Sequence, residues 1–499
     1  MGQVCKGDFR MRLVPTAALW LALAAGPALA AQDTLTLGMV LEPPNLDPTA
    51  GAAAAIDEVV HGNIFEGLTR FAPDGAILPG LAERWEVNED ATIYTFFLRD
   101  GVQFHDGSTM DAEDVRFSLD RARAEDSTNA QKALFAGIEA VEVVDLLTVR
   151  VRLAASDGNF TFAMAWGDAV IVAPESVGQA ATAPVGTGPF RFERWVQGDR
   201  VEITRNPDYW GEPPALARAT FRFIPDPSAA FAAMMAGDVD AFPNFPAPET
   251  LAQFEADPRF SVILGTTEGE TILAMNNRAA PLDDVRVRAA IAHAINRQDI
   301  IDGAMFGYGT PIGTHFAPHH PDYVDLIELS AHDPARARAL LEEAGQSGLK
   351  LRLALPPPAY ARRGGEIVAA QLRAVGIETE ITNLEWAQWL EQVFRGGDFD
   401  LTIISHTEPM DIGIYARPDY YFGYARPEFV ALMDRLTGTT DPADRTRILQ
   451  DAQRMIAEDH VNGFLFQLAK TGVANARIEG LWKNAPTPIN DLSAVRWAD

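Results

Sequence analysis

The chain has 499 residues, of which 69 are acidic and 41 are lysine or arginine, so its formal net charge at pH 7 is −28. This excess of negative charge repels nucleic-acid backbones and anionic lipid surfaces, which argues against both as partners. Cys5 is the only cysteine, and it precedes the apolar run of the N-terminus, so neither a disulfide nor a lipid anchor is expected. The length suffices for two or more domains with their own cores.

A secretory signal peptide is predicted for residues 1–30. Lys6, Arg10 and Arg12 precede an apolar run over residues 13–29, which ends in the small-residue sequence PALA. Met11 is a second candidate start, because the segment that follows it is itself a complete signal. No later stretch approaches the roughly 20 apolar residues that a transmembrane helix needs. The mature protein is therefore expected to be exported and to begin near Ala31.

The sequence of the first half of the mature chain predicts an α/β layer followed by mainly β structure. Residues 34–40 (TLTLGMV) favour a strand, and residues 54–71 place apolar side chains close to helical spacing. Residues 85–124 alternate in polarity, turn at two Asp-Gly pairs and end in a helix that Asp111 caps. Residues 186–211 predict a hairpin that ends in a loop of proline and aromatic residues.

From about residue 333 the pattern becomes a regular alternation of helices and strands. Asp333, Pro334 and Gly345 supply the start and stop signals of one helix. Strands are predicted at 349–356, 377–384 and 398–405, with helices around 366–375 and 385–397 between them. Such alternation indicates parallel strands joined by right-handed crossovers. Ligands bind beyond the carboxyl ends of parallel strands, which places residues 405–420 (SHTEPMDIGIYARPDY) where a ligand is expected.

Several segments together resemble the solute-binding proteins of peptide and nickel ABC importers. The resemblance covers essentially the whole mature chain, in the order of that family. It is carried by NIFEGLTRF (63–71), LAERWEV (81–87), YTFFLRDGVQFHDGSTMDAEDVRFSLDR (94–121), GTGPFRF (186–192), NPDYWG (206–211), MAGDVDA (235–241) and PLDDVRVRAAIAHAINR (281–297).

The resemblance implies a two-lobed α/β periplasmic binding protein of class II, similar to cluster C, with an extra β-rich subdomain. Lobe I is expected at 31–270 plus 476–499, with the extra subdomain at 62–185, and lobe II at 271–475. The lobes are expected to close on a small-molecule or short-peptide ligand. The partners implied are an ABC permease and its separate ATPase subunits, so the chain itself is expected to be a monomeric periplasmic receptor with no enzymatic activity and no cofactor.

Ten residues are candidates for ligand binding. Some follow predicted strands, some lie where the chain crosses between lobes, and others match positions that border the cleft in the resembling family. They are Glu42, Asn276, Asn277, Tyr360, Arg362, Trp386, Ser405, His406, Glu408 and Asp411.

The loop at 358–360 and the loop after residue 405 depart from the dipeptide receptors. Those receptors carry an Arg-x-Tyr in the first loop and an aspartate in the second, whereas this chain has Pro358-Ala359-Tyr360 and SHTEP. Arg362, Glu408 and Asp411 are candidates to replace the missing charges. A carboxylate in a closed cleft needs a partner, which favours a ligand with an amine, a guanidinium or several hydroxyls.

Other ligand classes and an enzyme remain alternatives. His315, His319 and His320 lie in one loop and His406 lies near Glu408, which leaves open a nickel or metal-chelate receptor or an exported metal-dependent hydrolase. Opine and oligosaccharide receptors of the same family are further possibilities. No Gly-x-Ser-x-Gly or His-Glu-x-x-His motif supports nucleophilic or metalloprotease chemistry. The leading hypothesis is a receptor for a peptide-like or amino-acid-derived solute, with no metal of its own.

Overall fold

The structure is a computed structural model that describes residues 1–3, 32–51, 53–408, 410–439 and 441–498. The predicted signal peptide falls almost entirely outside the described residues. Within the described part of the chain, no helix combines the length and the apolar character that crossing a membrane requires.

Nineteen strands occur in the described residues, and they are numbered in chain order. They are β1 (Thr34–Met39), β2 (Thr69–Phe71), β3 (Ile77–Pro79), β4 (Ala82–Val87), β5 (Ile93–Leu98), β6 (Ile138–Asp145), β7 (Thr148–Leu153), β8 (Phe190–Val196), β9 (Arg200–Arg205), β10 (Arg218–Phe223), β11 (Ala241–Phe242), β12 (Phe260–Met275), β13 (Gly309–Pro311), β14 (Leu349–Leu355), β15 (Ile377–Asn383), β16 (Leu401–His406), β17 (Asn462–Asn475), β18 (Ile478–Glu479) and β19 (Arg496–Trp497).

Thirteen α-helices occur in the same residues, besides short 3-10 turns and a π-helical segment at Leu390–Arg395. They are α1 (Ala54–Val60), α2 (Ala112–Arg123), α3 (Lys132–Phe135), α4 (Phe160–Ala163), α5 (Pro227–Ala236), α6 (Leu251–Glu255), α7 (Val285–Ala294), α8 (Arg297–Met305), α9 (Pro334–Glu343), α10 (Ala359–Ala374), α11 (Trp386–Trp389), α12 (Pro427–Thr437) and α13 (Pro442–Glu458).

One 11-stranded sheet runs through both lobes, in the order β15-β14-β16-β12-β17-β11-β1-β10-β9-β8, with β13 beside β17. Lobe I is built on β8 to β11 and β1, and lobe II on β14 to β16. As the alternating pattern predicts, β14 is parallel to both β15 and β16. The two-lobed α/β fold class is confirmed.

The antiparallel pair β12/β17, called the ribbon below, joins the lobes. Its lobe II end pairs with β16, from Glu270↔His406 to Met275↔Leu401. Its lobe I end pairs with β11, at Ala241↔Ala474 and Phe242↔Val473. The register is interrupted between Thr266 and Glu270 and again between Thr271 and Ile272, in the part of the ribbon that passes from one lobe to the other.

The ribbon corrects one predicted boundary. Residues 471–475 run beside the strands of lobe I, although the sequence analysis assigned them to lobe II. A continuous strand shows no break in composition where it passes from one lobe to the other, so its sequence does not mark the crossing.

The extra subdomain is a four-stranded sheet, ordered β4-β5-β7-β6, with helix α2 packed on it. Its core includes Tyr94, Phe96, Val115 and Phe160. As predicted, Asp111 caps α2, and its carboxylate accepts a hydrogen bond from the Glu113 N–H at 2.8 Å. The predicted helix over 54–71 is wrong after Val60, because Gly62 adopts φ +72° and the chain turns into β2.

Lobe II buries one apolar cluster on each face of its sheet. Leu273, Met275 and Ile403 belong to one cluster. Ile272 and Ile404, one residue along each strand, belong to the other. Successive side chains of a strand point to opposite faces, so every residue of β12 and β16 is assigned to one face or the other. The same alternation also decides the face to which each polar side chain points where the two strands approach the other lobe.

A substitution at Gly265 on β12 tests how closely the ribbon packs against the neighbouring backbone. A Cβ atom there would lie 1.7 Å from the Lys483 carbonyl oxygen, whereas one at Gly178 meets no atom within 4 Å. We expect Gly265→Ala to lower the free energy of unfolding by about 1–3 kcal/mol, because backbone must move to admit the methyl group. Gly178→Ala is the matched control and should change it by less than about 0.5 kcal/mol. Urea unfolding measures both, and equal midpoints for the two variants would contradict the close packing.

Candidate functional site

A cavity of about 290 Å³ lies between the extra subdomain, the ribbon and lobe II, and it is called the acidic cavity below. The extra subdomain contributes Phe71, Asp74 and Phe162 to its wall. The ribbon contributes Glu268, and lobe II contributes the loop of His319 and His320 together with Met410. Its volume is just below the roughly 300–1,000 Å³ range of ligand pockets, so it suits a small solute.

Polar and apolar groups alternate around the acidic cavity. The Nε2 atom of His319 lies 2.6 Å from Glu268 Oε1, which ties the lobe II loop to the ribbon. The Nε2 atom of His320 lies 3.0 Å from the Met410 sulfur. Carboxylates on two sides and aromatic rings on a third would accept an amino-bearing solute with an apolar portion.

A second cavity, of about 400 Å³, lies on the opposite face of the ribbon and is called the hinge cavity below. Thr267 lines the hinge cavity and Glu268 lines the acidic cavity, as expected for successive residues of a strand. Tyr360, Arg363 and Lys470 also line the hinge cavity. The ribbon therefore separates two cavities, and the hinge cavity carries charges of both signs, because Glu249 lines it as well as Arg363.

A contact between lobe II and the extra subdomain also joins the lobes directly. Arg445 of α13 donates from Nη2 to Asn159 Oδ1 of the extra subdomain at 2.5 Å. Its Nη1 also donates to the Leu436 and Thr439 carbonyls within lobe II, which holds the guanidinium in place. Asn159 stands next to α4, whose residue Phe162 lines the cavity. The ribbon and this contact thus bound the space between the lobes.

A buried group of polar side chains, called the histidine–aspartate cluster, follows the carboxyl end of β16. His315 Nε2 lies 2.7 Å from Asp411 Oδ1, and His406 Nδ1 lies 3.5 Å from Asp411 Oδ2. The other nitrogens of these rings lie 3.1 Å from the hydroxyls of Tyr415 and Tyr421, respectively. The ligand atoms of His315, His406 and Asp411 lie within 4.8 Å of one another, a spacing compatible with a metal ion.

The carboxyl groups of this region have opposite pKa shifts. Burial disfavours the charged form of Asp411, but the imidazoles of His315 and His406 outweigh it and hold the pKa of Asp411 well below its usual range. Burial raises the pKa of Glu270 well above its usual range, and the carboxylates of Asp411 and Glu268 add to the effect. Asp411 is therefore held in its ionised form, whereas burial and the neighbouring carboxylates disfavour the charged form of Glu270.

The predicted residues after β14 and β16 divide between the two faces of the sheet. His406 and Asp411 belong to the histidine–aspartate cluster, on the same face as Glu270. Ser405 points to the other face, and its N–H donates to the Tyr360 hydroxyl at 3.2 Å. Burial raises the pKa of Tyr360 to about 12. The structure therefore separates Tyr360 and Ser405 from the cluster that the sequence analysis grouped with them.

Three further predicted residues lie at the edge of lobe II. The Arg362 guanidinium donates to the carboxylate of Glu385 and to the Leu384 carbonyl, both at 3.1 Å, and its neighbour Arg363 lines the hinge cavity. Trp386 is 43% exposed and meets Trp389 edge-on. Glu408 is exposed and accepts a hydrogen bond from the Thr407 N–H.

Three predicted residues stabilise the fold instead of facing a cavity. Glu42 accepts hydrogen bonds from Trp195 Nε1 and the Gly198 N–H, which fixes the β8–β9 turn on the outer side of lobe I. Asn276 donates to the Gly397 and Phe399 carbonyls, and Asn277 donates to the carbonyls of Met275, Phe422 and Val461. These donors are occupied by main chain, so we leave the three residues out of the proposed site.

Sequence reasoning missed Asp74, Glu268 and Glu270, and it did not connect His315 with His406. The sequence did contain a signal for two of these carboxylates. Glu268 and Glu270 alternate within TTEGETILAM, and a carboxylate in the interior of an otherwise apolar strand needs a partner. Asp74 lies in a turn of the extra subdomain, and nothing local relates it to lobe II.

Asp411→Asn tests the ion pairs of the cluster. The depressed pKa of Asp411 means that its charge stabilises the fold fully above the unfolded pKa of about 3.9, and that this contribution is lost as pH falls toward the folded pKa. In EDTA-containing buffer we expect the variant to be destabilised by roughly 3 kcal/mol at pH 5 and above. The difference should shrink below about pH 4.

Thermal and urea unfolding at several pH values measure this difference. Asp419→Asn is the control, since Asp419 lies exposed in the same segment and should change stability by less than about 0.5 kcal/mol. A difference between wild type and Asp411→Asn that does not vary with pH would contradict the assignment.

Comparison with known proteins agrees with the fold. Residues 76–424 match the family model for bacterial extracellular solute-binding proteins, family 5 Middle. Di/tripeptide-binding protein 4 of Pseudomonas aeruginosa is 30% identical over 495 residues, which cover 88% of this chain and 90% of the relative. The glutathione-binding protein GsiB of Pectobacterium atrosepticum is 30% identical over 473 residues, covering 90% and 91%.

Solved structures of the same fold hold different solutes. NikA of Brucella suis, in complex with Fe(III)-EDTA, has a TM-score of 0.84 at 25% identity and covers 93% of this chain and 99% of its own. DppA of Helicobacter pylori, in complex with the peptide STSA, has a TM-score of 0.81 at 23% identity and covers 94% and 99%. The resemblance drawn from the sequence motifs is thereby confirmed. The chain belongs to the bacterial extracellular solute-binding proteins of family 5, whose members capture solutes for ABC importers.

Proposed function

We propose that this protein captures a small peptide-like or amino-acid-derived solute in the acidic cavity. The observation that carries the proposal is the pairing of carboxylates with apolar walls between the two lobes. Asp74 and Glu268 approach the cavity from lobe I and the ribbon, and they offer an ammonium group charge-assisted hydrogen bonds. Phe71, Phe162 and Met410 offer contacts to an apolar side chain. The relatives that bind peptides and glutathione support this ligand class.

The role proposed is transport rather than catalysis. Hinge closure about the ribbon would enclose the solute, and the closed form would dock on an ABC permease whose separate ATPase subunits drive import. We place the protein in the periplasm, as a monomer exported by the signal peptide predicted at residues 1–30. The proposed ligand-binding residues are Asp74, Glu268, His319 and Met410, which line the acidic cavity, together with the predicted residues Glu408, His406 and Asp411 of the adjoining segment.

A metal chelate is the second candidate ligand. The imidazoles of His319 and His320 and the thioether of Met410 line the acidic cavity, and these are groups that contact or ligate transition metals. NikA of Brucella suis, a protein with this fold, has been solved in complex with Fe(III)-EDTA, which supports a chelate as a ligand of this fold. The carboxylates of Asp74 and Glu268 favour the amino-bearing solute over an anionic chelate.

A thermal-shift screen of purified protein tests the ligand class. The library contains dipeptides, tripeptides, opines, oligosaccharides and nickel–histidine chelates. We expect peptide-like or amino-acid-derived members to raise the melting temperature, because a ligand at 100 times its Kd stabilises the folded state by about 2.7 kcal/mol. Stabilisation by chelates or sugars alone would refute the proposed ligand class, and turnover of a solute without stabilisation would refute the transport role.

Glu268→Gln and Asp74→Asn test the binding groups. Each removes one charge from the acidic cavity and keeps the shape of the side chain. We expect each to weaken binding of the best dipeptide of the screen about tenfold, the factor that about 1.4 kcal/mol of a charge-assisted hydrogen bond supplies. Asp100→Asn is the control, because Asp100 is exposed at a turn of the extra subdomain. Calorimetry that finds equal affinities in all three variants would contradict the assignment.

Asn159→Ala tests the contact that spans the lobes. The substitution removes the acceptor of Arg445 and leaves the two main-chain contacts of that guanidinium intact. We expect the same dipeptide to dissociate about tenfold faster, since the closed form loses a hydrogen bond to a charged group, while the association rate stays the same. Stopped-flow measurements distinguish the two rates. An unchanged dissociation rate would show that this contact does not hold the lobes closed.

A further inference from the structure

The histidine–aspartate cluster has the geometry of a metal site. His315 Nε2 and His406 Nδ1 face the two oxygens of Asp411 at 2.7 and 3.5 Å. A zinc-like ion bonds such atoms at about 2.0–2.2 Å in tetrahedral geometry, which places neighbouring ligand atoms roughly 3–4 Å apart. The three side chains therefore need to move only slightly to bind an ion between them.

The outer hydrogen bonds of the two imidazoles also match a metal site. The Tyr415 hydroxyl lies 3.1 Å from the remaining nitrogen of His315, and it accepts a hydrogen bond from Asn462 Nδ2. The Tyr421 hydroxyl lies 3.1 Å from the remaining nitrogen of His406. Such partners orient the ring of a metal-bound histidine and fix its tautomer. All three partner side chains are buried, so the arrangement is rigid.

A further carboxylate lies nearby on β12, outside the three side chains whose ligand atoms are within 4.8 Å of one another. Glu270 stands directly opposite His406 in the antiparallel pair, and side chains in that relation lie on the same face. Glu270 is 4% exposed, and its carboxylate adds a second acidic group to the region of Asp411. A divalent cation bound here would offset the negative charge of Asp411 in a region from which burial excludes water.

We propose that this protein binds one divalent transition-metal ion, of the Zn²⁺ or Ni²⁺ type, through His315, His406 and Asp411, and that the Glu270 side chain turns toward the ion as the fourth ligand. Imidazole and carboxylate ligands in this number suit such ions. All four side chains belong to lobe II or to the lobe II end of the ribbon, so the ion binds without lobe closure and without a solute. The site thus differs from a chelate carried in the acidic cavity, which contacts lobe I as well.

The ion would also stabilise one wall of the acidic cavity. Met410 lines that cavity and directly precedes Asp411 in the chain. Binding of Asp411 to the metal would hold the segment after β16 in place. Without the metal, this segment is held through the contacts of Asp411 with His315 and His406. Whichever solute fills the acidic cavity, the ion is a structural component of the receptor.

Calorimetric titration of the EDTA-stripped and dialysed protein with ZnCl₂ or NiCl₂ alone, in the absence of any solute, tests the site. We expect one ion per chain and a raised melting temperature. His315→Asn should lower the affinity by more than tenfold, and Tyr415→Phe, which removes only the outer hydrogen bond, by about 10- to 100-fold. His332→Asn is the control, because His332 is an exposed imidazole elsewhere in lobe II and should leave the affinity unchanged.

Cobalt substitution gives a second readout that a folding defect does not imitate. Co²⁺ in the wild-type site should show the intense visible absorption of tetrahedral nitrogen and oxygen ligation. His406→Gln should lose this absorption while circular dichroism shows a retained fold. No binding of Zn²⁺ or Ni²⁺ at 1:1 stoichiometry would overturn the proposal, and so would an equal loss in His332→Asn. Binding that requires an added chelator would overturn it as well, yet would leave the proposed solute receptor standing.

Discussion

The ribbon formed by β12 and β17 is the constraint on which the rest of the molecule depends. Its strands are 16 and 14 residues long, and each contributes one end to the sheet of each lobe. Backbone hydrogen bonds continue from lobe to lobe, so the two sheets form one. The register shift near Thr266 interrupts this ladder between the lobes, where bending disrupts the fewest hydrogen bonds.

Strand alternation in the ribbon also decides the chemistry of the space between the lobes. Glu268 and Glu270 point to the face that carries the acidic cavity and the histidine–aspartate cluster, while Thr267 faces the hinge cavity. A shift of one residue in the pairing would exchange these faces. The apolar clusters on both sides of the lobe II sheet prevent that shift, because it would move the side chains of Ile272 and Leu273 out of their own clusters and to the opposite faces of the sheet.

Local sequence signals predicted the elements that depend on neighbouring residues. Asp333 accepts hydrogen bonds from the first amides of α9, with Pro334 at its first position, as the capping pattern indicates. The parallel pairing of β14 with β15 and β16 followed from the alternation of helices and strands. The prediction of a helix through residue 71 was wrong, because apolar spacing does not show that the chain turns at Gly62.

The amino-acid sequence by itself determined the family, the fold class and the loop after β16 as a place of interest, since ordered motifs and strand ends are local properties. It could not determine which side chains meet there. His315 and Asp411 are 96 residues apart and form a 2.7 Å contact, and Asp74 and Glu268 share a cavity although they belong to different parts of the chain. Only the tertiary structure decided these contacts, because the register of the ribbon and the packing of both sheet faces determine which distant side chains come together.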